Sequence, residues 1–357
     1  MAESQLQELR GQVDRINLQL LELLNQRAKV VEEISKVQAQ MGTGFYDPQR
    51  EADMLTQLEM ANNGPFSNET IKALFREIFR ASLAMQEKDA RAKILVQRKS
   101  PDQATVITMP DGVTKIGDGS FTYLTGSCAI ESYEQMDQVA QALHKHGVKL
   151  MRGMAYKPRT SPYDYQGMGE EGLKIARSVA DKYGMYVVSE IMDKSQIDMF
   201  ADYVDIFWVG ARNMQNSFLL KALGKIKQPV ILKNGIASTL EEFLYGAEYI
   251  VSSGNPNVIL ITRGIRTFEK WTRNTLDLGA IAVLKLESHL PVIVDISHSA
   301  GRRDIAIPMA KAALASGADG LMVEVHPNPP VAMSDAKQQL DLKQFDTLMD
   351  TLKKMKI

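Results

Sequence analysis

The sequence predicts a two-part chain of class α/β: a (β/α)8 (TIM) barrel preceded by an all-α domain of three helices. Three observations carry this. An apolar stripe at helical spacing runs through the first stretch, and short apolar runs alternate with amphipathic segments through the rest. A reactive side chain then follows each predicted strand. With 357 residues the chain exceeds one ordinary domain. The expected boundaries are 1–88 for the helical domain, 89–104 for a charged linker and 105–357 for the barrel.

In the helical part, Leu6, Leu9, Val13, Ile16, Leu20 and Leu23 repeat at spacings of three and four, and the series resumes at Val30, Ile34, Val37 and Met41. That is one helix of about 35 residues, some 50 Å long at 1.5 Å per residue. It needs partner helices to cover its stripe. Gly42 to Gly44 end it. Asp47-Pro48 reads as a cap followed by a first-turn proline, and Ser67 or Asn68 caps a third helix after the Asn-Asn-Gly-Pro break.

The eight expected strands are Phe121–Thr125, Val148–Met151, Tyr186–Ser189, Val204–Val209, Pro229–Leu232, Val258–Ile261, Pro291–Val294 and Gly320–Val323. Amphipathic segments such as 132–146, 170–183, 238–252 and 304–316 separate them, which is the alternation of a (β/α)8 barrel. An open doubly wound sheet would want a Gly-rich turn after its first strand, and no GxGxxG stands there.

Forty-two Lys and Arg balance 43 Asp and Glu, for a net charge of -1, which argues against general nucleic-acid binding. The single cysteine, Cys128, rules out an internal disulfide and fits a reducing cytosol. The first residues lack a signal-peptide pattern and no apolar run is long enough to span a bilayer, so the expected location is cytoplasmic, with no membrane partner.

Active sites of such barrels lie at the C-terminal strand ends. The residues there are Cys128, Arg152, Glu190, Arg212, Lys233, Arg263, His298 and Glu324, all chemically useful. The cations Arg152, Lys157, Arg159, Arg212, Lys233 and Arg263 suit phosphate and carboxylate groups. Isolated surface salt bridges are the bland alternative, and it weakens when several cations converge on one barrel mouth. Cys128, His298, Glu324 and Asp335 make a divalent-metal set of mixed softness, suited to zinc, cobalt, iron or manganese.

At these residues the chain resembles the DAHP synthase family, in the form with a chorismate-mutase-like module fused at the N-terminus. The matching stretches are GSCAIES (126–132), KPRTSPYDYQG (157–167), GARNMQN (210–216), LKNG (232–235), DISHSAGRRD (295–304) and EVHPNPPVAMSD (324–335). The resemblance implies condensation of phosphoenolpyruvate with erythrose 4-phosphate, the first step of aromatic amino acid biosynthesis. It assigns Cys128, His298, Glu324 and Asp335 to the metal. It assigns Arg152, Lys157, Arg212, Lys233 and Arg263 to phosphoenolpyruvate, and Arg159 and Thr160 to the sugar phosphate. Lys157 is the candidate proton donor, and Glu190 the candidate water-orienting group. A related family uses arabinose 5-phosphate; the KPRTS stretch and the fused module favour the erythrose 4-phosphate user. Three places depart from the usual family pattern: Ser127 where it has proline, Met154 where it has glycine, and Ile261-Thr262 where it has Cys-Glu.

The first part resembles the all-helical chorismate mutases. Arg10, Arg27, Asp47, Arg50, Glu51, Ser82 and Gln86 match their pocket, and Arg10 is implied to enter the pocket of a partner subunit, in a homodimer or a homotetramer built from it. One position differs: Gln38 stands where the family has a lysine. That cation would stabilise the negative charge growing on the ether oxygen in the rearrangement, which neutral glutamine cannot do. The expectation is a domain that senses chorismate or prephenate for feedback control, with weak mutase activity; a fully active bifunctional enzyme is the alternative.

Overall fold

In the computed structural model, the described residues are 2–41, 44–91, 94–159 and 161–355. They form two compact units, Met1–Ile94 and Leu95–Ile357. The second unit begins inside the stretch expected as linker. Val96 is fully buried, Gln97 bridges to Ser288 and the Arg98 amide donates to the Glu287 carbonyl. Residues 95–104 are therefore part of the barrel unit rather than a free connection.

The first unit holds α1 (Ala2–Met41), α2 (Pro48–Ala61) and α3 (Asn68–Arg91). Asp47 caps α2 by accepting from the Arg50 amide, with Pro48 in the first turn. Ser67 Oγ accepts from the Thr70 amide at the start of α3. Both α1 and α2 pack on α3. A single α3 cannot cover a 40-residue helix, and the α1 side chains Leu6, Leu9, Val13, Ile16, Leu20 and Leu23 remain between 48% and 60% exposed.

In the second unit, a small antiparallel pair, β1 (Ile107–Thr108) and β2 (Lys115–Ile116), precedes the barrel. The barrel strands are β3 (Thr122–Gly126), β4 (Leu150–Arg152), β5 (Tyr186–Glu190), β6 (Ile206–Val209), β7 (Val230–Lys233), β8 (Val258–Thr262), β9 (Val292–Asp295) and β10 (Gly320–Glu324). They are parallel, pair in chain order and close β10 onto β3. The segments 132–146, 170–183 and 238–252 form helices as expected, in a series that runs α4 (Tyr133–Lys145), α5 (Glu170–Tyr183), α6 (Ile197–Tyr203), α7 (Ser217–Leu223), α8 (Leu240–Val251) and α9 (Leu278–Glu287). The short α10 (Ile296–Ala300), then α11 (Ala306–Ala315) and α12 (Leu342–Lys353), complete the ring.

Side chains on a strand alternate between its faces, so residues two apart share one face. Leu150, Val188, Ile206, Ile231, Ile293 and Met322 form the buried barrel interior. Two residues further along, the same faces carry Arg152, Glu190, Trp208, Lys233, Asp295 and Glu324. The strand period thus lifts a charged layer directly above an apolar one. At the opposite end, Ile107, Met109 and Ile116 of the β1–β2 pair join the same interior cluster. The Asp111 amide donates to the hydroxyl of Tyr186, at the start of β5. So the hairpin closes the barrel floor. Burial of its three apolar side chains, roughly 1.5–3 kcal/mol each, holds a strand pair too short to persist alone.

Candidate active site

The charged layer opens into a pocket of about 190 Å³ at the C-terminal strand ends. Arg152, Lys157, Arg159, Arg212, Lys233, Arg263 and Arg273 line it, against the carboxylates of Asp164, Glu190 and Asp335. All six cations expected from the sequence converge there, and Arg273 adds a seventh. Thr160 lies outside the described residues.

Beside this pocket, Cys128, His298, Glu324 and Asp335 each offer a donor atom, all within 4.8 Å of one another. Cys128 Sγ is 3.1 Å from Asp335 Oδ2, and His298 Nε2 is 3.4 Å from Glu324 Oε1 and 3.8 Å from Asp335 Oδ2. Metal bonds of about 2.0–2.3 Å in a tetrahedron would put donors roughly 3.3–3.8 Å apart, so the set has the dimensions of a metal site. Its chemistry also fits: one thiol, one imidazole and two carboxylates. Asp335 has a φ of 51°, the single non-glycine residue with positive φ among those described. Such backbone strain persists where the surroundings over-determine it, commonly at functional sites.

The surrounding residues orient the donors. The His298 ring directs Nδ1 to Asp295 Oδ2 at 2.8 Å, leaving Nε2 toward Glu324 and Asp335. Lys233 Nζ lies 2.5 Å from the same Asp295 oxygen. Arg152, fully enclosed, pairs with Glu324 Oε1 at 2.5 Å and lies over the Trp208 ring, where Lys233 also sits. Lys157 Nζ is 3.0 Å from Cys128 Sγ. Arg159 donates to Ser334 Oγ at 2.8 Å, next to Asp335 in sequence.

Burial, reinforced by the Glu324 charge, pushes the Cys128 thiol up to about 12 against the opposing pull of Lys157. Burial also lowers Lys233 despite Asp295, and raises Glu190 despite Lys157 and Lys233. The Glu190 carboxylate occupies space that glycine leaves at 210: a Cβ there would fall 1.8 Å from Glu190 Oε1.

The positions that depart from the family pattern are also resolved. Met154 lines the pocket and its sulfur accepts from the Glu190 amide at 3.1 Å. Ser127 is buried and donates to the Met136 sulfur. Ile261 and Thr262 end β8, both buried.

In the helical unit, Arg27 of α1 donates to Ser82 Oγ of α3 and covers the Phe79 ring at 5.3 Å. Gln86, one turn beyond Ser82, is buried. Glu51 is half-buried, Arg50 exposed, and Asp47 is engaged as the α2 cap. Gln38 donates to the Gly44 carbonyl at 3.1 Å. Arg10 is exposed and sits 17 residues before Arg27 on the same helix, about 25 Å away at 1.5 Å per residue. It therefore cannot share a pocket with Arg27 of its own chain.

A closed parallel barrel with a cation-lined pocket and a four-donor cluster at its C-terminal mouth defines a barrel enzyme that handles anionic substrates beside a metal. The comparisons with known proteins specify which. Residues 97–357 match the model of the DAHP synthetase I family, and residues 9–87 that of chorismate mutase type II. The chain belongs to the DAHP synthetase I family and carries an N-terminal region matching a chorismate mutase domain. Phospho-2-dehydro-3-deoxyheptonate aldolase of Thermotoga maritima is 52% identical over 261 residues, covering 73% of this chain and 77% of that protein. Its crystal structure superposes with a TM-score of 0.70, covering 73% of this chain and 76% of that one. A 2-dehydro-3-deoxyphosphooctonate aldolase of Syntrophotalea carbinolica is 30% identical, covering 69% of this chain and 95% of that protein.

Asp295, Trp208 and Arg273, which the structure places around the site, escaped the sequence reading. The first two carried a signal, because each lies two residues beyond an apolar strand position. Arg273 lies mid-loop, where no periodicity marks it.

Proposed function

We propose that the barrel condenses phosphoenolpyruvate with erythrose 4-phosphate and water to give 3-deoxy-D-arabino-heptulosonate 7-phosphate and phosphate, the entry to aromatic amino acid biosynthesis. The observation that carries this is the convergence of Arg152, Lys157, Arg159, Arg212, Lys233 and Arg263 on one pocket beside the four-donor cluster. Arg152, Lys157, Arg212, Lys233 and Arg263 hold the phosphate and carboxylate of phosphoenolpyruvate. Arg159 and Thr160 hold the phosphate of the sugar. Together they offset the repulsion between two anionic substrates. Cys128, His298, Glu324 and Asp335 would hold manganese, zinc, cobalt or iron. Bound there, the ion supplies Lewis acidity to the aldehyde oxygen.

Carbon 3 of phosphoenolpyruvate bonds to the aldehyde carbon, and the aldehyde oxygen becomes a hydroxyl by taking a proton. Lys157 delivers that proton, a role supported by its Nζ lying 3.0 Å from Cys128 Sγ, beside the donor cluster. Water adds at carbon 2, oriented by Glu190, which takes up the water's proton. Cleavage of the bond from carbon 2 to the phosphate oxygen then releases inorganic phosphate, which takes the proton of the carbon 2 hydroxyl, and leaves the 2-keto acid.

The helical unit binds chorismate or prephenate and restrains the barrel, in a cytoplasmic homodimer or homotetramer. The Arg27–Ser82 contact and the buried Gln86 support an anion pocket there. The Gln38 amide donates to its own chain at Gly44, which favours sensing over catalysis.

Purified chain should form product from phosphoenolpyruvate and erythrose 4-phosphate, lose activity on chelation and regain it with Mn²⁺. Faster turnover of arabinose 5-phosphate would sink the substrate assignment. Synthase rates unmoved by saturating chorismate and prephenate would sink the sensing role.

A further inference from the structure

The loop between β8 and α9 contains the one pocket cation that the proposed reaction leaves without a task. Arg273 Nη1 lies 3.1 Å from Asp335 Oδ1 and donates to Gln338 Oε1 at 2.8 Å. Gln338 in turn donates through Nε2 to Glu324 Oε2 at 2.5 Å. The next residue, Asn274, donates through Nδ2 to the His298 carbonyl at 2.8 Å. One dipeptide therefore reaches three members of the four-donor cluster: Asp335 directly, Glu324 through Gln338, and His298 through its backbone.

The dipeptide is itself firmly seated. The amides of Arg273 and Asn274 donate to the carbonyls of Ala300 and Ser299, just past His298. The contact is close enough to demand glycine at 301, since a Cβ there would fall 2.4 Å from Arg273 Cβ and the backbone φ is +67°. An Ile265–Thr275 bridge ties the loop together below its tip, where Phe268 and Trp271 are 94% and 80% exposed.

We propose that Arg273, with Asn274, is a positioning clamp for the metal donors, acting chiefly on Asp335. The inference rests on the metal reading above. Asp335 needs an external hold more than its companions do. It has the strained left-handed backbone, and its side chain is 22% exposed while Glu324 is fully enclosed. The one nitrogen Nη1 reaches the Asp335 oxygen that faces away from Cys128 and, through Gln338, the second oxygen of Glu324. Both carboxylates are then pre-aimed before the ion arrives. Outer partners of this kind typically contribute about 10- to 100-fold in metal affinity.

The test is a Co²⁺ titration of the metal-stripped full-length chain, following the charge-transfer absorption from the Cys128 thiolate to cobalt. Arg273→Ala, Arg273→Lys and Gln338→Ala are compared with the unmodified chain. Arg273→Ala should weaken cobalt binding by about 10- to 100-fold. Its KM for phosphoenolpyruvate should stay unchanged at saturating metal. Lysine keeps the charge beside Asp335 but loses the planar guanidinium that aims Nη1 at Asp335 and Gln338 together, so Arg273→Lys should fall between. Gln338→Ala should also weaken binding, and it carries the test if Arg273→Ala proves unfolded by circular dichroism. Unchanged cobalt affinity in the folded variants, with a raised KM for the sugar phosphate, would overturn the clamp and make Arg273 a substrate contact. An unmodified chain that takes up no cobalt would instead reject the metal reading itself.

Discussion

Asp295 holds His298 twice: its Oδ1 accepts the His298 backbone amide at 2.9 Å, and its Oδ2 meets the ring Nδ1 at 2.8 Å. The two residues are three apart at the start of α10, so the carboxylate that caps the helix also sets the imidazole's orientation. Burial works to raise Asp295, but His298 and Lys233 outweigh it and hold the carboxyl well below the usual range.

Asp295→Asn should therefore damage both halves of the site at once. An amide in that place turns an N–H toward Lys233 and His298, which are already donors. Metal affinity should fall by about 10- to 100-fold, and KM for phosphoenolpyruvate should rise through misplacement of Lys233. Calorimetric metal titration and steady-state kinetics read the two effects separately; a change in neither would show that Asp295 is only a helix cap.

Gly210→Ala tests the seat of Glu190. The added methyl would sit 1.8 Å from Glu190 Oε1, so the carboxylate must leave its place. A displacement of about 1 Å can cost on the order of 100-fold in rate. The expected result is a loss of that size in kcat with an unshifted melting temperature. Full activity would remove Glu190 from the water-orienting role.

Arg152→Met removes the cation from a fully buried ion pair and leaves the Glu324 charge behind. Breaking such a pair costs about 3–5 kcal/mol. The loss should be largest in metal-free protein and smaller with Mn²⁺, which supplies countercharge to Glu324. Denaturant unfolding with and without the ion measures both; equal losses would mean that Glu324 does not see the metal.

Gln38→Lys places a cation where the mutase pattern expects one. The unmodified chain should convert chorismate to prephenate slowly. The lysine variant should be faster by on the order of 100- to 1,000-fold, the usual worth of one such contact. Equal rates would show that glutamine suffices and that the chain is fully bifunctional.

Much of this architecture was legible in the residues because strand and helix periods are local properties. The barrel strands begin and end within two residues of their expected limits, and Asp47-Pro48 caps α2 as read. The expected metal set and cation set also came together, since each residue lies at or just past a strand end or on a loop at the barrel mouth. What the sequence could not announce was non-local. The β1–β2 pair has two residues per strand, too few to show a period, and it forms because the barrel floor needs covering. Residues 89–104 read as a charged connection, yet Val96 is buried and Arg98 donates to the Ser288 carbonyl from 190 residues away. Arg273 and Gln338 matter only through partners distant in the chain.

The apolar layer inside the barrel, with the hairpin beneath it, backs the pocket on the side away from the C-terminal strand ends among the described residues. Phosphoenolpyruvate, the sugar phosphate, the seven-carbon product and the released phosphate therefore meet the same set of arginines and lysines. Each anion that lingers there is a rival for the next as well as a ligand.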